Sequence, residues 1–222
     1  VVFTAADSGT ESTPVFWKSA NGSRATISGG AVVRKWEKLP GRIGVWVAPL
    51  PMGVTEAHQL FVGGHRRSRA RSPNDGQFFA IEKVMGDANQ SDGIILANGT
   101  VPTLTDAMNV EAVVYSTYIA QRYPVASADG TSRAVRFLGS VSPPPKYAIY
   151  SGKHGKQSRT YLENSFEFLD APGEWFANSS HVFYYASPDE ETKLEDLDVV
   201  IPVASELVQI IGVEHLRFDG ID

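Results

Sequence analysis

Leu169-Asp170-Ala171-Pro172-Gly173-Glu174-Trp175-Phe176 is the stretch on which the reading of this chain turns. Pro172-Gly173 is turn chemistry, because proline presets φ and glycine accepts a positive one. Trp175 behind the turn is read as core, and Glu174 as a partner for an arginine. The arginines stand in a second stretch, Arg69-Ala70-Arg71-Ser72-Pro73-Asn74, preceded by Arg67. Arg67, Arg69 and Arg71 alternate, so on a strand they share one face. Three cations on one face require anions nearby. Asp170 and Glu174 are the expected partners, and a bidentate pair would lock the two stretches together.

Strand signals dominate outward from there. Residues 14–18, 24–27, 32–36, 45–48 and 59–62 are short, β-branched or aromatic, and bounded by Gly, Pro, Asn or Ser;. Similar runs follow at 110–117, 133–138, 182–186, 199–203 and 207–211, and both chain ends read as strands. One helix is predicted, two turns at most, over Glu163–Leu169 before Pro172;. The acidic stretch Ser187–Leu197 reads as a solvated loop or single helical turn. Two textures emerge. Residues 1–30 and 199–222 carry short strands closed by Gly or Asn, whereas 31–198 carries longer strands and loops. The middle therefore reads as an insertion, and Val141-Ser142-Pro143-Pro144-Pro145-Lys146 as a stiff loop within it;.

Composition limits the function. In 222 residues, 42% are hydrophobic and 20% charged, which suits a packed core;. The net charge of −5 argues against a nucleic-acid partner;. No apolar run is long enough for a membrane span. Cysteine is absent, which removes disulfides, thiolate metal sites and cysteine nucleophiles;. The five histidines show no zinc spacing, no serine-hydrolase elbow or phosphate loop is present, and no cofactor is expected;. Asn21, Asn89, Asn98 and Asn178 each begin an Asn-x-Ser/Thr sequon, so the chain is expected to be a secreted glycoprotein;.

The order of motifs resembles the N-terminal portion of secreted right-handed parallel β-helix proteins of the glycoside hydrolase type. Asp7-Ser8-Gly9-Thr10 and Ile27-Ser28-Gly29-Gly30 stand where the first rungs would be, and Trp36 and Trp46 follow as core aromatics. Gln59-Leu60-Phe61-Val62-Gly63-Gly64 is similar to that family's strand-turn, with Gly63 where Asn is usual. The 69–74 and 169–176 stretches and Phe183-Tyr184-Tyr185-Ala186-Ser187-Pro188 complete the series. The resemblance implies an all-β fold with little helix. First β-helix rungs would occupy 1–30, an inserted β-sandwich-like domain 31–198, and returning rungs 199–222. It implies a fragment of a carbohydrate-active protein whose insertion shapes or walls a glycan cleft. The catalytic carboxylates are expected on later rungs. Open strand edges would need the rest of the chain or a partner to cover them.

Within the chain, Asp170 and Glu174 are weak catalytic candidates. Arg69, Arg71, Asn74 and Trp175 are the substrate-binding candidates, through guanidinium contacts and ring stacking. Trp17, Trp36 and Trp46 read as core. Tyr147 and Tyr150, near the proline loop, are candidates for an exposed sugar platform. The expected partner is a polysaccharide or glycan. The alternatives are a non-catalytic carbohydrate-binding or extracellular structural module, and an unrelated all-β structural protein.

Overall fold

In the computed structural model, strands dominate the described residues, which are 1–222 without 21–22, 88, 98, 100, 102, 105–106, 116–118, 146–158 and 192–193. Asn21, Asn98, Tyr147, Tyr150 and His154 lie outside the described residues. The described helical segments are single 3-10 turns at Ala5–Asp7, Phe166–Phe168 and Leu194–Asp196. The protein is therefore all-β. It divides into two units: Val1–Val32 with Val200–Asp222, and Val33–Val199.

The first unit is built from parallel pairs between the two ends of the sequence. Strand β1 (Val2–Phe3) runs parallel to β18 (Gln209–Ile210), and β2 (Val15–Lys18) parallel to β19 (Leu216–Asp219). The expected strand at 24–27 is reduced to one parallel bridge, Ala25 with Ile221. Phe3 is buried against the edges of Trp17 and Phe218, with ring centroids 4.9 and 5.4 Å away. Trp17 itself is 46% exposed, so it is not the core residue expected. Strand β3 (Gly30–Val32) pairs antiparallel with β17 (Val199–Pro202). The expected strand at 32–36 stops early because Lys35 adopts φ 62°, which a strand does not tolerate;.

The Val33–Val199 unit has two sheets. One runs β8 (Arg71–Ser72), β14 (Arg159–Glu163), β11 (Glu111–Tyr115), β12 (Ala120–Asp129), β13 (Ala134–Val141), β10 (Ser91–Leu96), β9 (Ile81–Gly86). All its pairings are antiparallel. The other runs β6 (Leu60–Val62), β7 (His65–Arg69), β15 (Glu174–Ala177), β16 (His181–Tyr185), β5 (Val45–Pro49), β4 (Glu37–Lys38). Here β7 and β15 alone run parallel, which sets Trp175 beside Arg69.

Alternation explains the core. Tyr123, Val125, Val135 and Phe137 point inward from β12 and β13 at every second position, and the Tyr123 and Phe137 rings stack at 4.7 Å;. They join Ile94, Leu96, Ala112, Val114 and Leu162 from the same sheet, and Val45 from the other, in one cluster. Each buried Ile, Leu or Val contributes about 1.5–3 kcal/mol relative to exposure. The β6–β7 hairpin closes through Gly63 and Gly64 at φ 58° and 77°, the left-handed values a two-residue turn of this twist demands;.

The helix expected over Glu163–Leu169 is not formed. Glu163 ends β14, Asn164 takes φ 68°, and one 3-10 turn follows at Phe166–Phe168. The Ser165 side chain accepts from the Glu167 amide and caps that turn;. Among its described residues, the stretch Ser187–Leu197 holds a hydrogen-bonded turn at Ser187–Glu191 and a 3-10 turn at Leu194–Asp196, and it is not simply solvated: Glu190 is buried.

Candidate functional site

The Val33–Val199 unit carries a cleft of about 340 Å³ lined mainly from β7, β8, β11, β12, β14 and β15. Its polar walls consist largely of arginines: Arg66, Arg67, Arg69, Arg71 and Arg122. Aromatic side chains come from Tyr115, Tyr161 and Trp175, and His58, Ser68, Asp75 and Glu163 complete the lining.

Glu111 and Glu163 face each other across the β11–β14 ladder. Like charges directly opposite destabilise a sheet. Here Arg69 and Arg122 bridge both. Arg69 Nη1 lies 2.7 Å from Glu111 Oε2 and 3.2 Å from Glu163 Oε1. Arg122 pairs with Glu163 and lies 3.4 Å from Glu111 Oε2. The Arg69 guanidinium also sits 5.8 Å from the centre of the Trp175 ring;. This four-residue network forms one wall.

Arg71 forms another part of the frame. It is buried against Tyr161, its guanidinium 3.5 Å from that ring's centre. Its Nε and Nη2 donate to the Pro73 and Gln77 carbonyls at 3.0 and 2.8 Å, and Nη1 to Asp75 at 3.3 Å. Those donors hold Arg71's own loop. Burial, with the Glu163 charge adding to it, pushes the Tyr161 phenol up to about 12, so it stays a hydroxyl at neutral pH;.

Arg67 pairs with Glu190. Glu190 also accepts from the Tyr184 hydroxyl at 2.6 Å and from the Ser187 amide and hydroxyl at 3.1 and 2.8 Å. Burial alone would raise the Glu190 pKa. The Tyr184 and Ser187 hydrogen bonds and the Arg67 charge outweigh it and hold the carboxyl below its ordinary value;.

The expected pairing of these arginines with Asp170 and Glu174 is thus overturned: their carboxylates are Glu111, Glu163, Glu190 and Asp75. Glu174 instead closes its own turn. Its Oε2 accepts from the Asp170 and Ala171 amides, both at 3.2 Å, while Oε1 is buried without a well-formed hydrogen bond. The Arg71 amide offers the carboxyl a further weak contact. Burial pushes Glu174 up to about 7, and the nearby Asp170 charge adds to the rise. At 3% exposure, and outside the cleft lining, Glu174 is walled off from any substrate in the cleft.

The remaining sequence candidates divide. Arg69, Arg71 and Trp175 line the cleft; Asn74 does not, and its carbonyl accepts the Gln77 amide in a turn. Trp175 is only 1% exposed and donates Nε1 to the Arg67 carbonyl at 3.2 Å, so its ring is structure rather than a sugar platform. Trp36 and Trp46 are buried as expected. The accessible groups, which the sequence did not single out, are His58, Arg66, Ser68, Asp75, Tyr115 and Arg122. Among the sequons, Asn89 is exposed, and Asn178 Oδ1 accepts from the Ser180 amide and hydroxyl at 2.9 and 3.1 Å. Among the described residues no group of three or more His, Cys, Asp or Glu is arranged to hold a metal. No helix among them is long and apolar enough to cross a membrane.

The sequence profile of one family matches the unit that carries this cleft. That family is the GH141 insertion domain, matched over residues 43–188. The chain belongs to this family and is a glycoside hydrolase-related domain. A solved structure titled "Glycoside hydrolase" superposes with a TM-score of 0.75 at 25% identity, covering all of this chain. The chain spans 40% of that protein's length. No curated protein matches the sequence.

Proposed function

We propose that the chain is part of a secreted, glycoside hydrolase-like β-helix protein, in which the Val33–Val199 unit is an inserted β-sandwich-like domain that shapes the glycan site. The observation that carries this reading is the match of residues 43–188 to the GH141 insertion domain.

The order of the parallel pairs supports the β-helix part. β1 meets β18, then β2 meets β19, then Ala25 meets Ile221, in the same order along both segments. Two successive coils of a parallel β-helix pair in that way. Phe16, Trp17, Ile210 and Phe218 in this unit are exposed, as side chains awaiting a further coil or a partner would be;.

The insertion's role is recognition rather than bond cleavage. A retaining or inverting pair needs one carboxyl as acid and another as nucleophile or base. The cleft's opposed carboxylates, Glu111 and Glu163, are each tied to two arginines. The matched glycoside hydrolase is longer than this chain, so the catalytic pair need not lie among these residues.

Affinity electrophoresis of the chain through gels carrying different polysaccharides tests this reading. Retardation by at least one of them is expected, and uniform mobility in all would overturn it. The second reading, a non-catalytic binding module, is favoured by the two-arginine clamp on those carboxylates. It predicts retardation without release of reducing ends by the native polypeptide.

A further inference from the structure

We infer that the cleft of the Val33–Val199 unit binds an acidic sugar, and that Arg66 takes its carboxylate. This deepens the proposed function and rests on its glycan reading.

The charges in the cleft do not balance. Five arginines line it. Four carboxylates answer four of them: Glu190 for Arg67, Glu111 and Glu163 shared by Arg69 and Arg122, and Asp75 for Arg71. Arg66 is exposed at the cleft and has no carboxylate partner among the described residues. Deeper in the wall, Nε of Arg67 and Nε of Arg69 are buried with no acceptor. Both guanidiniums are nevertheless charge-paired, so the cation that protein leaves unanswered at the cleft is Arg66, and an anion entering the cleft would answer it;.

The shape suits a sugar. A volume of about 340 Å³ is at the lower end of small-ligand clefts, enough for one or two sugar rings;. Tyr115 supplies the aromatic face. The residue is 39% exposed, and its ring meets Phe78 edge to face at 5.7 Å, with Tyr161 at 6.2 Å. A pyranose can lie on such a face, while Ser68 and His58 offer partners for its hydroxyls;. Arg122, half-exposed above the Glu111–Glu163 pair, provides a second donor group at the rim. A planar guanidinium fork matches a carboxylate, so a uronic acid satisfies both features at once.

Calorimetric titration of the full chain with four probes tests this: trigalacturonate, its fully methyl-esterified form, neutral xylotriose and a sulfated galactose disaccharide. Binding of trigalacturonate is expected, weakened about tenfold or more by esterification, as loss of a charge-assisted hydrogen bond entails. Arg66→Ala should cause a similar loss and Arg66→Lys a smaller one. Because Arg66 is exposed, neither change should impair folding;. Raising NaCl should weaken the acidic probe selectively. Equal binding of the acid and its ester, or indifference to Arg66→Ala, overturns the inference while leaving the glycan reading intact. Tighter binding of a sulfated galactose disaccharide than of trigalacturonate also overturns it, assigning the site to sulfate. Absence of binding by every probe overturns the inference, and the glycan reading falls with it where the polysaccharide gels also show uniform mobility.

Discussion

Glu163 stands opposite Glu111 on adjacent antiparallel strands, and the two tolerate each other because Arg69 and Arg122 reach both. The arrangement joins the β7 arginines to the sheet that carries β11 and β14. It makes the cleft wall an electrostatic unit rather than a set of independent side chains.

Removing the shared cation should therefore cost more than an ordinary surface change. Arg69→Met is expected to destabilise the chain by about 1–3 kcal/mol, because Arg122 alone then answers two opposed carboxylates, of which Glu163 is buried;. Arg69→Met combined with Glu163→Gln should recover part of that loss. Urea denaturation midpoints check both. Additive losses in the double variant would contradict the shared-cation account.

Glu174 gives the protein a pH dependence. Its folded pKa, raised by burial to about 7, lies above the ordinary 4.5. The folded state therefore holds the proton more tightly than the unfolded chain. Its contribution to stability is full below about 4.5 and is lost as pH rises through 7;. Glu174→Gln should flatten that decline and be the more stable form at pH 8, by about 1–2 kcal/mol. Thermal midpoints of both forms between pH 4 and 8 measure this.

Glu190 has the opposite sign. Burial works against its ionised form, but the Tyr184 and Ser187 hydrogen bonds and Arg67 prevail, and the folded pKa falls below 4.5. Its contribution is full above that ordinary value and lost as pH falls through the depressed one. Tyr184→Phe should cost about 1–2 kcal/mol at pH 7, through one lost hydrogen bond to a charged group. In acid the difference between Tyr184→Phe and the parent should narrow.

Gly64 isolates backbone strain. It sits at φ 77°, and a Cβ there would meet nothing within 4 Å. Gly64→Ala should cost about 1 kcal/mol from φ alone, and Gly64→Asn distinctly less, since Asn tolerates the left-handed region. Equal losses would mean that the turn is not the determinant.

The fold class was legible because short apolar runs such as Val45–Pro49 are bounded by turn residues at regular spacing;. Strand β12 was not, because Pro124 in its middle argues against a strand. The sheet accommodates it beside a register shift between Val125 and Ser127. The helix expected over Glu163–Leu169 failed because the apolar spacing there could not reveal the positive φ of Asn164. At the site, the alternating arginines announced a charged face, but not what answers it. Arg69 meets Glu111 and Glu163 at separations of 42 and 94 residues, and Arg67 meets Glu190 at 123. Asp170 and Glu174 suggest themselves as partners because they are the carboxylates of the 169–176 stretch itself, whereas the sheet pairing selects carboxylates that no local pattern marks.

The most direct test of the central claim is an amide-resolved NMR titration of the full chain with oligosaccharides of the polysaccharide that retards it most. Saturable shifts centred on His58, Arg66, Ser68, Tyr115 and Arg122 are predicted. Saturable shifts confined to Val1–Val32 and Val200–Asp222, or none anywhere, would contradict a glycan site in this cleft.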